Sequence, residues 1–327
     1  MNYFDQITTN NSENLRLLLT SKGDGANNLN KMILFKKHVE IINIELTYKC
    51  NRKCDYCPVS SSNRKFDQIN MSDLNLEKIV NELSSIRYEN RISLNLYNEP
   101  MMDKNLHRKV KIIRDLLPHC NIGFNSNGDY LNDKALETLS ESGLDFICVT
   151  LHPAPNKIQS SGDIARRVGK LLQKLDYGHL SLIPNEATVV TKDHISITKH
   201  GVKIRIQWPD WRQEGTNRAG TIDKLNSITQ RTHPCMKPFR EFTIFYDGSV
   251  QPCCESFHDE VDNFCEIGNI KNATIFELYA SQKLSDFRSA VFDFSEKTGI
   301  CAHCTVKDYS NISDDKLRKT ILEDLRK

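Results

Sequence analysis

The sequence predicts an α/β fold followed by a small α+β domain, and three observations carry that prediction. From residue 41 strand-like and helix-like periodicities alternate at the spacing of βαβ units. After residue 215 this gives way to a hairpin pattern and a single helical stretch. The cysteines fall into an early group of three and a late group of six, one in each region, with Cys120 and Cys148 between them. The boundaries expected are 1–40 for an N-terminal extension, 41–215 for the α/β core and 216–327 for the second domain.

Within the first 40 residues, polar and Asn-rich, "SENLRLLLTS" reads as a helix. "IINIELT" (41–47) is a strand. "LNLEKIVNELSSI" is an amphipathic helix, with Leu76, Ile79, Val80, Leu83 and Ile86 at helical spacing. "RISLNLY" (91–97) is a strand, "NLHRKVKIIRDLL" a helix and "NIGFN" a strand. "NDKALETLSESG" is a helix capped by Asn132 or Asp133 and closed by Gly143. "LDFICVTLH" is a strand and "DIARRVGKLLQKL" a helix. Residues 176–200 fit neither period. "VKIRIQW" is a strand. "EFTIFYDGSVQPCC" reads as a hairpin turning at Asp247-Gly248. "TIFELYASQKLSDFRSAV" reads as one helix with a capping box from Thr274 to Glu277.

Parallel strands covered on both faces are apolar on both. These are not: Asn43, Glu45 and Thr47, then Ser93, Asn95 and Tyr97, then Lys203, Arg205 and Gln207 form a polar face. The alternation predicts a barrel interior that holds a polar ligand, with wet edge strands as the alternative.

The 327 residues hold 44 basic and 42 acidic side chains, a formal net charge of +2. That balance gives no case for nucleic acid or a membrane surface as partner. No apolar run reaches bilayer length and the N-terminus lacks a signal-peptide profile, so the expected compartment is the cytoplasm. Eleven cysteines in a reducing compartment read as metal-binding or catalytic.

"KCNRKCDYCP" follows the first strand directly and holds Cys50, Cys54 and Cys57 on one loop, with no fourth ligand nearby. Zinc knuckles bring cysteines as two C-x2-C pairs. Three thiolates can instead hold a [4Fe–4S] cluster with one iron open, at the strand end where barrel enzymes place their chemistry. This loop resembles that of the radical SAM superfamily, with its C-x3-C-x2-C signature at this place. The resemblance implies a partial (β/α) barrel in which S-adenosylmethionine binds the open iron and yields a 5′-deoxyadenosyl radical. It places Tyr56 near adenine and Asn98 and Glu99 of "YNEP" at the methionyl ammonium. It places Asn125, Ser126 and Asn127 of "NSNG" at the ribose. Asn98 stands where the family usually has glycine.

In the second region Cys235 precedes Cys253 by 18 positions, with Gly248-x4-Cys253 between, and Cys301-x2-Cys304 follows. This resembles the Twitch domain, a shortened SPASM domain, and implies an auxiliary [4Fe–4S] cluster on Cys235, Cys253, Cys301 and Cys304. A structural zinc on the same thiolates is the alternative. Cys265 has no assigned partner.

Through "NLYNEP", "NGDYLNDKALETL", "NRAGTID" and "DGSVQPC" the resemblance narrows to superfamily members that oxidise a secondary alcohol of an aminocyclitol. It implies substrate contacts by Tyr97, Arg218 and Glu255, and an external one-electron reductant of flavodoxin or ferredoxin type. His152 ends a strand whose same face carries Phe146, Cys148 and Thr150, which makes it a further substrate-side candidate. The expected reaction is oxidation of a secondary alcohol to a ketone. The alternative is epimerisation, or modification of a ribosomal peptide, with Cys254 as hydrogen donor and Cys148 as a weaker one.

Overall fold

The computed structural model describes residues 12–20, 25–62, 69–153, 160–177, 188–190, 193–227, 229–257, 265–306 and 315–326. The chain opens with helices α1 (Ser12–Leu19) and α2 (Asn28–His38) and strand β1 (Ile41–Ile44). Then come α3 (Asp73–Ser85), β2 (Arg91–Ser93), α4 (Leu106–Leu116), β3 (Asn121–Ser126), α5 (Asp133–Glu141), β4 (Phe146–Thr150) and α6 (Ser161–Lys174). Strands β5 (Thr188–Val190), β6 (His194–Lys199) and β7 (Val202–Gln207) precede the short helices α7 (Trp211–Glu214) and α8 (Lys237–Arg240). The chain ends with β8 (Glu241–Ile244), β9 (Ser249–Gln251), β10 (Gly268–Asn269), α9 (Ile275–Tyr279), α10 (Gln282–Phe292) and α11 (Asp315–Arg326). These elements divide into two compact units, residues 44–215 and residues 1–43 with 216–327.

In the unit of residues 44–215, β2, β3, β4 and β7 pair in parallel in that order. Their apolar face is fully buried: Ile92, Ile122, Phe124, Ile147, Val149, Ile204 and Ile206. Helix α3 covers apolar surface with Leu76, Ile79, Val80 and Leu83, and Ser72 caps it by accepting from Asn75 N at 3.2 Å. Asn132 caps α5 through Ala135 N at 2.9 Å, and Gly143 leaves that helix with φ +96°.

The stretch that fitted neither period holds an antiparallel strand. β6 turns back through His200-Gly201, both at positive φ, and pairs with β7 from Lys199↔Val202 to His194↔Gln207. A two-residue loop with both residues left-handed matches the strand twist. Residues 178–187 and 191–192 of that stretch lie outside the described residues. The expected polar face is buried at its start and open at its end. Glu45, Thr47, Ser93 and Tyr97 are buried, whereas Lys203 and Arg205 are exposed.

In the other unit, β8 and β9 form the expected hairpin and β10 adds to β9. Gly248 takes φ +90°, while Asp247 Oδ1 accepts from Ser249 N at 3.0 Å. The N-terminal residues, expected as an extension, pack into this unit. Phe35 of α2 is fully buried and meets Phe242, Phe276 and Tyr279 edge to face, with centroids 5.2 to 5.4 Å apart. Glu40 pairs with Arg240 at 2.5 Å, and Ser289 Oγ donates to Leu19 O.

The single helix expected from Thr274 is two helices. The capping box is present, Glu277 N reaching Thr274 Oγ1 at 3.2 Å and Thr274 N reaching Glu277 Oε2 at 2.8 Å. The helix then stops at Tyr279, and Ser281 caps α10 through Leu284 N. Buried Arg288 explains the break. It donates to Tyr279 O at 2.8 Å and to Pro238 O at 3.0 Å, and its guanidinium lies 4.1 Å over the Tyr279 ring. The carbonyl freed by the break is thus satisfied.

Phe35→Ala removes the centre of the aromatic cluster that ties α2 to the C-terminal elements. The expected cost is about 3–5 kcal/mol, measured as a lowered urea midpoint. An unchanged midpoint would contradict this packing.

Candidate functional site

Three loops at the C-terminal ends of neighbouring strands meet around Glu99. The first, after β1, carries Cys50, Cys54 and Cys57, all part-exposed and none in a disulfide. Cys57 N donates to Cys54 O at 3.0 Å, which closes a tight turn between the two cysteines. Burial pushes the Cys50 thiol up to about 11, and Cys57, Glu99 and Cys54 add to the rise. Such mutual penalty between thiols is relieved when a soft metal takes them as thiolates.

The second loop, after β2, carries "YNEP". Glu99 N donates to Lys49 O at 2.8 Å, which joins it to the cysteine loop. The Glu99 side chain is 1% exposed. Its Oε1 accepts from Met101 N at 3.1 Å and Ser126 Oγ at 2.9 Å, and its Oε2 from Asn127 N at 2.7 Å. Burial raises its pKa, and these three donors hold the rise back. Asn98 Oδ1 accepts from Leu96 N at 2.9 Å, and its φ is not positive, so this turn does not need the family's glycine.

The third loop, after β3, is bound to the first. Asn127 Nδ2 donates to Asn51 Oδ1 at 2.8 Å, and Asn51 Nδ2 donates to Asp129 Oδ2 at 2.8 Å. Arg52 clamps the same carboxylate with both arms, Nε to Oδ2 at 2.8 Å and Nη2 to Oδ1 at 2.5 Å. Ser126 and Asn127 are buried, whereas Asn125 is exposed and donates its N–H to Asn95 Oδ1. Beneath these loops Lys109 and Asp103 form a buried ion pair at 2.6 Å, and Lys109 Nζ also reaches Leu46 O.

Tyr56 and His152 were expected on different ligands, and the structure joins them. Their rings stack at 28° with centroids 5.7 Å apart, and Tyr56 Oη lies 2.6 Å from His152 Nδ1. Burial, then Arg52 and Arg167, lower His152 to about 4. The imidazole is therefore neutral near pH 7, and its tautomer sets which of the two atoms donates. Tyr97 is buried, and its N–H donates to Glu45 Oε1 at 3.2 Å.

In the unit with residues 216–327, Cys235, Cys253, Cys301 and Cys304 come from three separate segments. Burial raises the Cys301 thiol, with Cys304 and Cys235 adding to the rise; burial also raises Cys253, with Cys254, Cys301 and Cys235 adding. The four thiols thus feel one another. Among the described residues no three His, Cys, Asp or Glu side chains converge closely enough for a single metal ion.

Two residues that sequence reading missed hold these segments together. Arg231 donates to His233 O and Pro234 O ahead of Cys235, and to Cys304 O and Val306 O. Asn217, fully buried, donates to His303 O and exchanges bonds with Thr305. Nothing local in a single sequence marks either partner set, because each spans 70 residues or more.

Asn217 opens the "NRAG" turn, in which Arg218, Ala219 and Gly220 take φ of +48°, +52° and +94°. The left-handed region is costly for a side chain such as arginine, on the order of 1 kcal/mol. There Arg218 Nη1 lies 3.3 Å from Glu255 Oε2, and Thr216 Oγ1 donates to the same oxygen at 2.6 Å. Burial alone would raise Glu255; Arg218, Lys237 and Thr216 outweigh it and hold the carboxyl below its usual range. Cys254 is half-buried beside them, with Sγ 3.4 Å from Lys237 Nζ and 4.0 Å from Glu255 Oε1.

The radical SAM superfamily model matches residues 44–175, and the SPASM iron–sulfur cluster-binding domain model matches residues 235–305. The S-adenosyl-L-methionine-dependent 2-deoxy-scyllo-inosamine dehydrogenase of Niallia circulans is 28% identical over 269 residues, covering 82% of this chain and 93% of its own. A crystal structure of BtrN in complex with AdoMet and 2-DOIA shares the fold, at TM-score 0.60 and 24% identity over 83% of this chain and 97% of that one. BtrN in an open conformation superposes at TM-score 0.51 and 21% identity, over 84% of this chain and 92% of that one. No helix among the described residues is long and apolar enough to cross a membrane.

The neutral His152 makes stability depend on pH. From its ordinary 6.5 down to about 4, an unfolded imidazole takes a proton that the folded one refuses, so stability rises with pH across that window. His152→Gln is expected to flatten the pH dependence of Tm between 6.5 and 4. The slope that remains comes from other groups, His38 among them, which burial, then Arg288 and Lys37, lower to about 3.

Proposed function

The chain is a radical SAM enzyme with a SPASM iron–sulfur domain, and on that premise we propose that it oxidises a secondary alcohol of a polar small molecule, a sugar or aminocyclitol, to a ketone. The observation that carries this is the Arg218–Glu255 pair, whose carboxylate stands two positions after Cys253. The named activity of the Niallia circulans relative supports it.

Cys50, Cys54 and Cys57 would hold the first [4Fe–4S] cluster, and Cys235, Cys253, Cys301 and Cys304 a second. Both donor sets fit: soft thiols outside any disulfide, close enough to raise one another's pKa. When bound, the first with S-adenosylmethionine supplies a radical that abstracts hydrogen, and the second accepts an electron. Electrons would enter from a flavodoxin- or ferredoxin-type reductant, and we read the compartment as cytoplasmic.

The remaining work falls to the chain's own side chains. A carboxylate offers about four acceptor positions. Three of Glu99's are used by Met101, Ser126 and Asn127, which leaves one for the methionyl ammonium. Tyr56, fixed by His152, presents its ring to adenine, and residues 125–127 line the ribose. Asn98 fixes the turn that positions Glu99. On this reading Tyr97 and His152 contact the substrate. Oxidation of a carbinol removes a hydrogen atom, a proton and an electron. Arg218 stabilises the deprotonated hydroxyl as its charge partner, Glu255, ionised, anchors the guanidinium, and the proton passes to solvent.

A second reading is epimerisation, in which a thiol returns a hydrogen to the substrate radical. The placement of Cys254 Sγ 4.0 Å from Glu255 favours it.

Anaerobic turnover in D2O with reductant, S-adenosylmethionine and a candidate polyol separates the two. A product two hydrogens lighter and without solvent label is expected. Arg218→Ala should lower its rate by about 10²–10³, the loss typical of one charge-stabilising donor. Deuterium in an isomeric product, lost in Cys254→Ala, would replace oxidation with epimerisation. Absence of S-adenosylmethionine cleavage would sink both.

A further inference from the structure

The polar face of the sheet in residues 91–207 carries three cations and, among the described residues, no carboxylate paired with them. Arg91 of β2, Lys203 and Arg205 of β7 lie on it, and none of the three makes an ion pair with another described residue. The register explains their convergence. Phe146 lies opposite Lys203, and Cys148 opposite Arg205. The Arg91 guanidinium stacks on the Phe146 ring, 4.2 Å from its centroid.

Gly123 makes this arrangement possible. A Cβ there would come within 2.3 Å of the Phe146 ring, so only glycine lets that ring lie flat and support Arg91. Arg91 is half-buried, and its Nε is a buried donor with no acceptor among the described residues. Such an orphan is costly unless a ligand completes it. Burial raises the Cys148 thiol while Arg205 and Arg91 both lower it, so both guanidinia act on one point of the face. The partner seen for Arg205 is His194 Nδ1, at 3.4 Å. Arg205, Lys203 and Asn125 are exposed, which leaves the face open to a ligand.

Two guanidinia around a small neutral residue repel one another and repel an amine. They match the planar oxygens of an oxyanion, which a guanidinium takes with two parallel bonds. We infer that this face binds an oxyanion of the substrate, a phosphate or a carboxylate, between Arg91 and Arg205. The inference rests on the oxidoreductase reading, because it names the substrate class for that enzyme. It also separates this chain from one that selects a cationic aminocyclitol.

The test is calorimetric titration of the anaerobically reconstituted enzyme with glucose 6-phosphate, glucuronate and glucosamine at one ionic strength. One of the two anions is expected to bind at least about ten-fold more tightly than the amine. Preference for glucose 6-phosphate assigns a phosphate, and preference for glucuronate a carboxylate. Arg91→Gln and Arg205→Gln should each weaken anion binding by about ten-fold, with Arg205→Lys recovering part of it. Arg205 is exposed, so its variant keeps the test decisive if Arg91→Gln fails to fold. Arg108→Gln, an exposed control that pairs with Asp73, should leave anion binding as it was. Equal binding of all three probes, or anion binding indifferent to both site variants, overturns the inference. Binding needs no turnover. Loss of S-adenosylmethionine cleavage in the same preparation would count against the oxidoreductase reading instead.

Discussion

Everything near the first three cysteines depends on one buried carboxylate. Glu99 gathers donors from its own loop and from the loop after β3, while its backbone N–H holds the cysteine loop. An uncompensated carboxylate at 1% exposure would be forced neutral. Here the compensation comes from the loops that need to be held together. Desolvation of one side chain thus becomes a constraint on three loops, and the Arg52–Asp129 clamp closes the ring around them.

The second unit solves the same problem with opposite charge. Its cysteines come from distant segments, and no carboxylate could gather the carbonyls that line them. Arg231 donates to four carbonyls on two of those segments, and Asn217 binds the "NRAG" turn to the C-x2-C loop. Arg218 is therefore presented from a turn whose strained backbone is fixed by the same contacts that fix Cys304. Strain of this kind persists only where surrounding bonds over-determine it.

Local signals were legible in the sequence. The C-x3-C-x2-C loop, the Asn132 cap, the Thr274 capping box and the Asp247-Gly248 hairpin each follow from residues a few positions apart. The failures share a cause, a partner distant in sequence. The helix from Thr274 breaks because Arg288 satisfies Tyr279 O; propensity alone favours continuing it. Tyr56 and His152 stand 96 residues apart, so nothing near either predicts their bond. The N-terminal residues read as an appendage because the partners of Phe35 lie more than 200 residues away. His200-Gly201 was a readable hairpin signal, obscured by the aperiodic stretch before it.

The central claim is that two separate thiol sets hold two iron–sulfur clusters. Iron and sulfide counting with Mössbauer spectra on anaerobically reconstituted protein tests it most directly. About eight irons per chain, all in [4Fe–4S] form, are expected. Cys301→Ala/Cys304→Ala should hold about four, with the three-cysteine loop still loaded. About four irons and one tightly bound zinc in the unaltered chain would contradict the claim and make the second thiol set a structural zinc site.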